Sequence, residues 1–216
     1  MVLCGIMTNS DDFCPKMDIG AYRVSLDNIG QKERRGRNLC APLEKIRGKS
    51  AATILEAVGL SEMVPVPLEP ILTYLGISAV PFDFSEVEAA LADFVAERGN
   101  ILGMMISKGD NAGILYRKAD SINRQRFTIA HELGHCALAT ETVSRRIEFR
   151  NDGKSNDPRE MDANTFAGEL LIPEKSLRVL YDETVATRVD LLAKAFAVSE
   201  NVMKARLEAL GLKHAA

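Results

Sequence analysis

Two of the chain's three histidines, His131 and His135, stand four residues apart with Glu132 between them, inside the run Arg-Phe-Thr-Ile-Ala-His-Glu-Leu-Gly-His-Cys-Ala-Leu-Ala-Thr at 126–140. On an α-helix that spacing turns the second imidazole only about 40° past the first, so both rings stand on one face, one turn apart. A single divalent metal can take both. Zinc suits the donors, because it binds imidazole nitrogens and carboxylate oxygens in a tetrahedral site and His-Glu-x-x-His is its best-known helical pattern. The other account of the pair is two hydrogen-bonded core histidines with no metal. The intervening glutamate and the apolar surroundings weigh against it.

The element carrying these residues is expected to start within 121–124 and to run to about Thr140. Around its axis Phe127, Ala130, Leu133, Gly134, Ala137 and Leu138 leave almost no polar surface apart from the His and Glu positions, which predicts a buried helix. Burying two imidazoles and a carboxylate is costly without partners, so the pattern itself calls for something that satisfies them. Gly134 costs about 1 kcal/mol relative to Ala in a helix interior, and its usual reason is the close approach of another element.

A metal on two histidines needs a third protein ligand, and the next helix offers one. Asp157 and Pro158 suit an N-cap and first helical position, and Pro173 marks the end beyond Leu171. With Glu160 at zero on the helical wheel, Ala163, Phe166, Ala167, Leu170 and Leu171 fall in an arc from about 240° to 20°, while Asp162 and Glu169 lie near 200° and 180°. Glu160 alone of these acids points with the apolar face. A capping box with Asp157 is the local alternative for it. Asn164, one turn on, sits beside Glu160, either supporting a ligand or as an ordinary buried amide.

The remaining elements follow from periodicity and punctuation. Ala51, Ile54, Leu55, Val58 and Leu60 repeat at helical spacing; Pro65 and Pro67 break the chain before a short helix over 68–75 that stops at Gly76. A strand is expected over 77–84, a helix or irregular stretch over 87–97, and two strands over 100–107 and 112–117 joined by Lys-Gly-Asp-Asn as a hairpin turn. A small antiparallel sheet thus leads into the metal helix. At the far end Leu191, Leu192, Ala195, Phe196, Val198, Val202, Leu207 and Leu210 are the apolar positions of a helix-turn-helix-like pair, with Ser199 as N-cap and Ala197 where glycine is more usual in the turn. Lys194, Lys204, Arg206 and Lys213 against Asp190, Glu200 and Glu208 make a poor footprint for DNA, so packing or protein recognition is favoured there. His214 reads as a solvated side chain.

Composition sets the outer bounds. A 216-residue chain with 46% hydrophobic and 26% charged residues is globular, and a net charge of −3 argues against nucleic acid or an anionic membrane as main partner. No apolar run approaches the roughly 20 residues of a membrane span. The opening Met-Val-Leu-Cys-Gly-Ile-Met lacks a basic flank and turns acidic by Asp11, which speaks against a secretory signal. Cysteines 4, 14, 40 and 136 show no C-x-x-C spacing, so reduced thiols in a cytoplasmic protein are expected. Residues 1–44 read as a poorly organised extension; its basic cluster, Lys32, Arg34, Arg35 and Arg37, is either part of a flexible segment or an arm for a partner. A mis-chosen start codon would also give such a segment.

The run Asn-Arg-Gln-Arg-Phe-Thr-Ile-Ala-His-Glu-Leu-Gly-His at 123–135, followed by Glu-Met-Asp-Ala-Asn-Thr-Phe-Ala-Gly-Glu-Leu-Leu-Ile-Pro at 160–173, resembles the ImmA/IrrE family of metallopeptidases. The resemblance extends over about 44–212 and leaves 1–44 unmatched. It implies an α+β fold: a helical zinc-peptidase core over 45–186, with the small antiparallel sheet before the metal helix, and a helix-turn-helix-like segment over 187–216. It also implies one zinc per chain on His131, His135 and Glu160, with Glu132 as the catalytic carboxylate. Three protein ligands leave a fourth position for water, and Glu132, about 100° round the helix from His131, stands beside the metal as general base. A tyrosine often helps hold the oxyanion in such enzymes, and Tyr181 or Tyr116 could serve, but a packing or surface role is favoured for each and neither is counted as catalytic. The activity implied is a zinc-dependent endopeptidase acting on one protein, a helix-turn-helix repressor of stress or mobile-element genes. The alternative is a non-proteolytic regulator that binds a protein or DNA through its C-terminal helices, with zinc only structural.

Overall fold

The computed structural model of the protein describes residues 41–90, 96, 101–108, 111–138, 145–149, 157–181 and 188–213. The basic cluster at 32–37, Cys4, Cys14, Cys40, the final residues of the expected metal helix at 139–140, and His214 lie outside the described residues. In chain order the elements are α1 (Ala41–Ile46), α2 (Ala51–Ala57), α3 (Leu68–Leu75), β1 (Ile77–Phe82), α4 (Ser85–Ala90), β2 (Ile101–Lys108), β3 (Asn111–Arg117), α5 (Ile122–Leu138), β4 (Arg145–Phe149), α6 (Pro158–Leu171), α7 (Glu174–Leu180), α8 (Val189–Phe196) and α9 (Glu200–Ala209). None of the described helices is long and apolar enough to cross a membrane.

Local chemistry sets the helix ends. Ser50 caps α2 by accepting from the Thr53 N–H, Asp157 caps α6 by accepting from the Arg159 N–H with Pro158 behind it, and Ser199 caps α9 by accepting from the Val202 N–H. Helix α3 ends at Gly76 in the left-handed conformation, φ 74°. Helix α1, with Pro42 and Leu43 buried, begins inside the stretch read as an unorganised extension.

The fold is α+β, as the sequence implied, and its sheet runs β1-β3-β2-β4. The β2–β3 hairpin is antiparallel, closing at Lys108 opposite Asn111. Strand β1, in contrast, adds to β3 in parallel, and β4 extends the other edge antiparallel to β2. The tight hairpin forces β2 and β3 together, whereas α4 and the chain after it separate β1 from β2, which lets β3 lie between them. The sheet is therefore mixed and not the antiparallel sheet expected ahead of α5, and one of its strands follows that helix.

One apolar core joins all these parts: Ile54 and Leu55 of α2, Ile71 and Leu75 of α3, Ile114 of β3, Leu133 of α5, Leu170 and Leu171 of α6, and Phe196 and Leu207 of the C-terminal pair. The turn between α8 and α9 is bound directly to the start of α5. Asn123 donates from Nδ2 to the Val198 carbonyl at 3.0 Å, and Arg126 donates from Nε to the Ala197 carbonyl at 3.2 Å and from Nη2 to the Val66 carbonyl at 2.9 Å. Arg206, buried on α9, donates to the Ile172 carbonyl at 3.2 Å, where α6 ends. Ala197 makes this turn with φ 52°, the one positive-φ residue other than glycine among the described residues.

Candidate metal centre

Helix α5 is buried along Thr128–Ala137, in keeping with its nearly all-apolar wheel; Leu138, grouped there with the apolar positions, is instead 46% exposed at the end of the helix. The Gly48 N–H donates to the Ala137 carbonyl at 2.8 Å, using one of the carbonyls that the helix leaves open at its C-terminal end. Gly134 has the reason the sequence asked for. A Cβ there would lie 3.0 Å from the Ala163 carbonyl oxygen, 3.1 Å from the Ala163 Cα and 3.2 Å from the Phe166 Cβ, so α6 lies directly against the α5 backbone.

That close packing brings the sequence's ligand candidates together. His131 and His135 are 6% and 8% exposed, with their Nε2 atoms 2.9 Å apart. One Glu160 oxygen, Oε2, lies 3.3 Å from the first of these nitrogens and 3.4 Å from the second. In a tetrahedral site with bonds of about 2.0–2.1 Å, neighbouring ligand atoms stand about 3.3–3.4 Å apart. Among the described residues these three form the group that could hold a metal ion. Their donor set of two imidazole nitrogens and a carboxylate fits zinc. Asp162 is exposed, and Glu169 reaches Arg206 at 3.4 Å.

Asn164, one turn beyond Glu160, fixes the orientation of a ring. Its Oδ1 lies 2.9 Å from His131 Nδ1. With Nδ1–H donating to that oxygen, the lone pair of His131 is on Nε2, facing His135 and Glu160. Asn164 is itself an exposed residue, so of the two roles left open by the sequence it is not the buried amide.

Glu132 is fully buried on α5 and lies outside the group of three. Its surroundings include a residue the sequence reading passed over. A Cβ on Gly103 of β2 would lie 3.1 Å from Glu132 Oε1, 2.6 Å from Thr128 Cγ2 and 3.4 Å from the Leu115 carbonyl oxygen. The available signal was the glycine itself, since glycine inside a strand marks a bulge or a close approach. Both hold: the pairing of β2 with β4 slips between Ile101 and Gly103.

The two tyrosines differ. The Tyr181 hydroxyl donates to the Lys213 carbonyl at 3.1 Å, which commits it to the C-terminal end of the fold. Tyr116 pairs with Gly103 across β2 and β3, on the sheet face turned to α5. It is partly buried, and burial raises its phenol pKa. On α9 the exposed positions are Glu200, Asn201, Ala205, Glu208 and Ala209, while the helix's arginine is turned inward.

A family model described as the IrrE N-terminal-like domain, Peptidase_M78, matches residues 73–208. The match runs from within α3 to within α9, so it takes in the hairpin, α5, α6 and the C-terminal pair, and covers well over half of the chain. No curated protein matches the chain.

Proposed function

Because the chain belongs to the IrrE N-terminal-like (Peptidase_M78) family, we propose that it is a zinc-dependent endopeptidase. The observation that carries this reading is the convergence of His131, His135 and Glu160 on one buried point, with Glu132, next to His131 in the same helix, fully buried. Zinc bound by the three side chains would supply a Lewis acid for a water and for the scissile carbonyl. The protein's own part in the chemistry falls to Glu132, which takes a proton from the attacking water and hands it to the leaving amine nitrogen. A purely structural metal has no use for a buried carboxylate in that place. Asn164 holds the His131 ring with Nε2 inward.

The substrate in this reading is one protein in the cytoplasm, a helix-turn-helix repressor whose cleavage relieves repression of stress or mobile-element genes. The family resemblance supports it. So does α9, whose exposed acids, Glu200 and Glu208, would meet DNA phosphates with like charge and leave a protein as the better partner. Incubating the zinc-loaded protein with candidate repressors, one at a time, and weighing the fragments tests the reading. A single cut in one repressor, abolished by a chelator and restored by zinc, is expected. Cleavage of casein at many sites, or no cleavage of any protein, would reject it.

A further inference from the structure

We propose that Gly103 is the positioning residue for the general base: the missing side chain on β2 provides the clearance in which the Glu132 carboxylate sits. The inference rests on the hydrolytic reading for the role of Glu132, but its geometry stands apart from that reading. Three atoms border the place where a Cβ at 103 would be, and they differ in their ability to yield. Thr128 Cγ2, at 2.6 Å, belongs to a buried β-branched side chain on a helix, where one or two χ1 rotamers are open to it. The Leu115 carbonyl oxygen, at 3.4 Å, is backbone of β3, fixed by the pairing of β3 with both β1 and β2. Glu132 Oε1, at 3.1 Å, ends a side chain with three rotatable bonds. Any side chain at 103 is therefore accommodated at the expense of the carboxylate, or by lifting α5 from the sheet at Thr128.

The strand is shaped for the same purpose. The slip in pairing between Ile101 and Gly103 sets an extra residue of β2 against β4, and such bulges re-aim the backbone beside active sites. Beyond the bulge, Met105 pairs with Ile114 and both lie in the core beneath α5. The glycine thus stands at the point where the sheet, having packed normally on the helix, must leave room for a carboxylate. The three ligands are held differently, through the contact of Gly134 with Ala163 and Phe166, which Gly103 does not touch.

The test is Gly103→Ala, alone and with Thr128→Ser, which removes the methyl at 2.6 Å. Crystal structures of both zinc-loaded variants give a readout that needs no substrate. In Gly103→Ala we expect His131, His135 and Glu160 in place and the Glu132 carboxylate displaced; in the double variant we expect it returned most of the way. Zinc affinity, measured by competition with a chelator, should be retained in both. On a cleaved protein substrate, Gly103→Ala should lower kcat about 10–100-fold with KM nearly unchanged, since misplacing a reacting group by an ångström has effects of that order, and Thr128→Ser should recover much of the loss. An undisplaced carboxylate in Gly103→Ala, full kcat, or loss of zinc in step with kcat would each overturn the inference. If the parent protein cuts nothing, the peptidase reading fails, and the displacement of Glu132 still decides the role of Gly103. Should Gly103→Ala not fold, the double variant, whose new methyl still lies 3.1 Å from the place of Glu132 Oε1, is compared with Thr128→Ser alone: a residual displacement of the carboxylate and a lower kcat are expected, and an identical Glu132 position with equal kcat would overturn the inference.

Discussion

Toward α6, helix α5 presents His131, His135 and Gly134, and the approach is so close that a Cβ on Gly134 would stand 3.0 Å from a backbone oxygen of Ala163. Toward β2 it presents Thr128 and Glu132, and the glycine that makes room lies on the other partner, Gly103 of the strand. Both faces use a missing side chain to bring polar groups into a buried place. On the first face helix packs on helix, and the result is three donor atoms at separations suited to a metal. On the second, helix packs on sheet, and the result is a buried carboxylate set against Gly103. In the proposed function, metal binding and proton transfer would thus fall to two different contacts of one helix.

The largest effects should come from removing the polar groups themselves. Glu160→Ala takes away a ligand, and zinc affinity should fall by more than the roughly 10–100-fold typical of an outer partner, whereas exposed Asp162→Ala should leave it unchanged. Glu132→Gln should keep the zinc and lower kcat about 10²–10⁴-fold, the usual contribution of a general base. Metal content by mass spectrometry together with cleavage rates separates the two. Should Glu132→Gln lose its metal, or Glu160→Ala keep it, the division between the two faces would be wrong.

His131, His135, Glu160 and Glu132 could all be picked out from the sequence and Gly103 could not, and the reason is physical. His131, His135 and Glu160 announce themselves by type and by position on a helical wheel, a periodicity local to each helix. The bounds of α6 at Pro158 and Leu171 and the end of α3 at Gly76 were equally readable, because caps and left-handed glycines act within a few residues. Gly103 belongs to a run that reads only as an apolar strand; its meaning depends on which helix crosses it, a contact 25–29 positions away in sequence to Thr128 and Glu132. The parallel addition of β1 and the late arrival of β4 are non-local in the same way. Ala197 was legible as an oddity, and the structure shows the left-handed turn that makes it one.

Asn164 gives an intermediate effect and tests whether the ligand face needs its outer partner. Its carboxamide oxygen fixes the His131 ring by a 2.9 Å contact at Nδ1. Asn164→Ala should lower zinc affinity about 10–100-fold, and Asn164→Asp, which keeps an acceptor in place, should restore most of it. Titration against a chelator measures both. Equal loss in the two variants would mean that the contact at Nδ1 does not orient the ring.

The smallest effects distinguish crowding from helix propensity as the reason for Gly134. Replacing it with Ala returns about 1 kcal/mol of helix propensity, yet puts a methyl against Ala163 backbone and the Phe166 Cβ, where overpacking typically costs about 1–3 kcal/mol. Neither backbone atom can rotate away, so the variant should be less stable on balance and should weaken zinc, since α6 carries Glu160 one turn before Ala163. Gly168, on α6 itself, is the control: a Cβ there meets nothing within 4 Å. Gly168→Ala should therefore collect the propensity gain without the clash and raise Tm by about 2–4 °C, the shift expected of roughly 1 kcal/mol in a chain of this size, with zinc affinity unchanged. Thermal melts of the two variants, with and without zinc, compare them directly. If Gly134→Ala were as stable as Gly168→Ala and bound zinc as well as the parent, close approach would not be what the glycine is for, and the ligand face would not depend on how tightly α6 lies on α5.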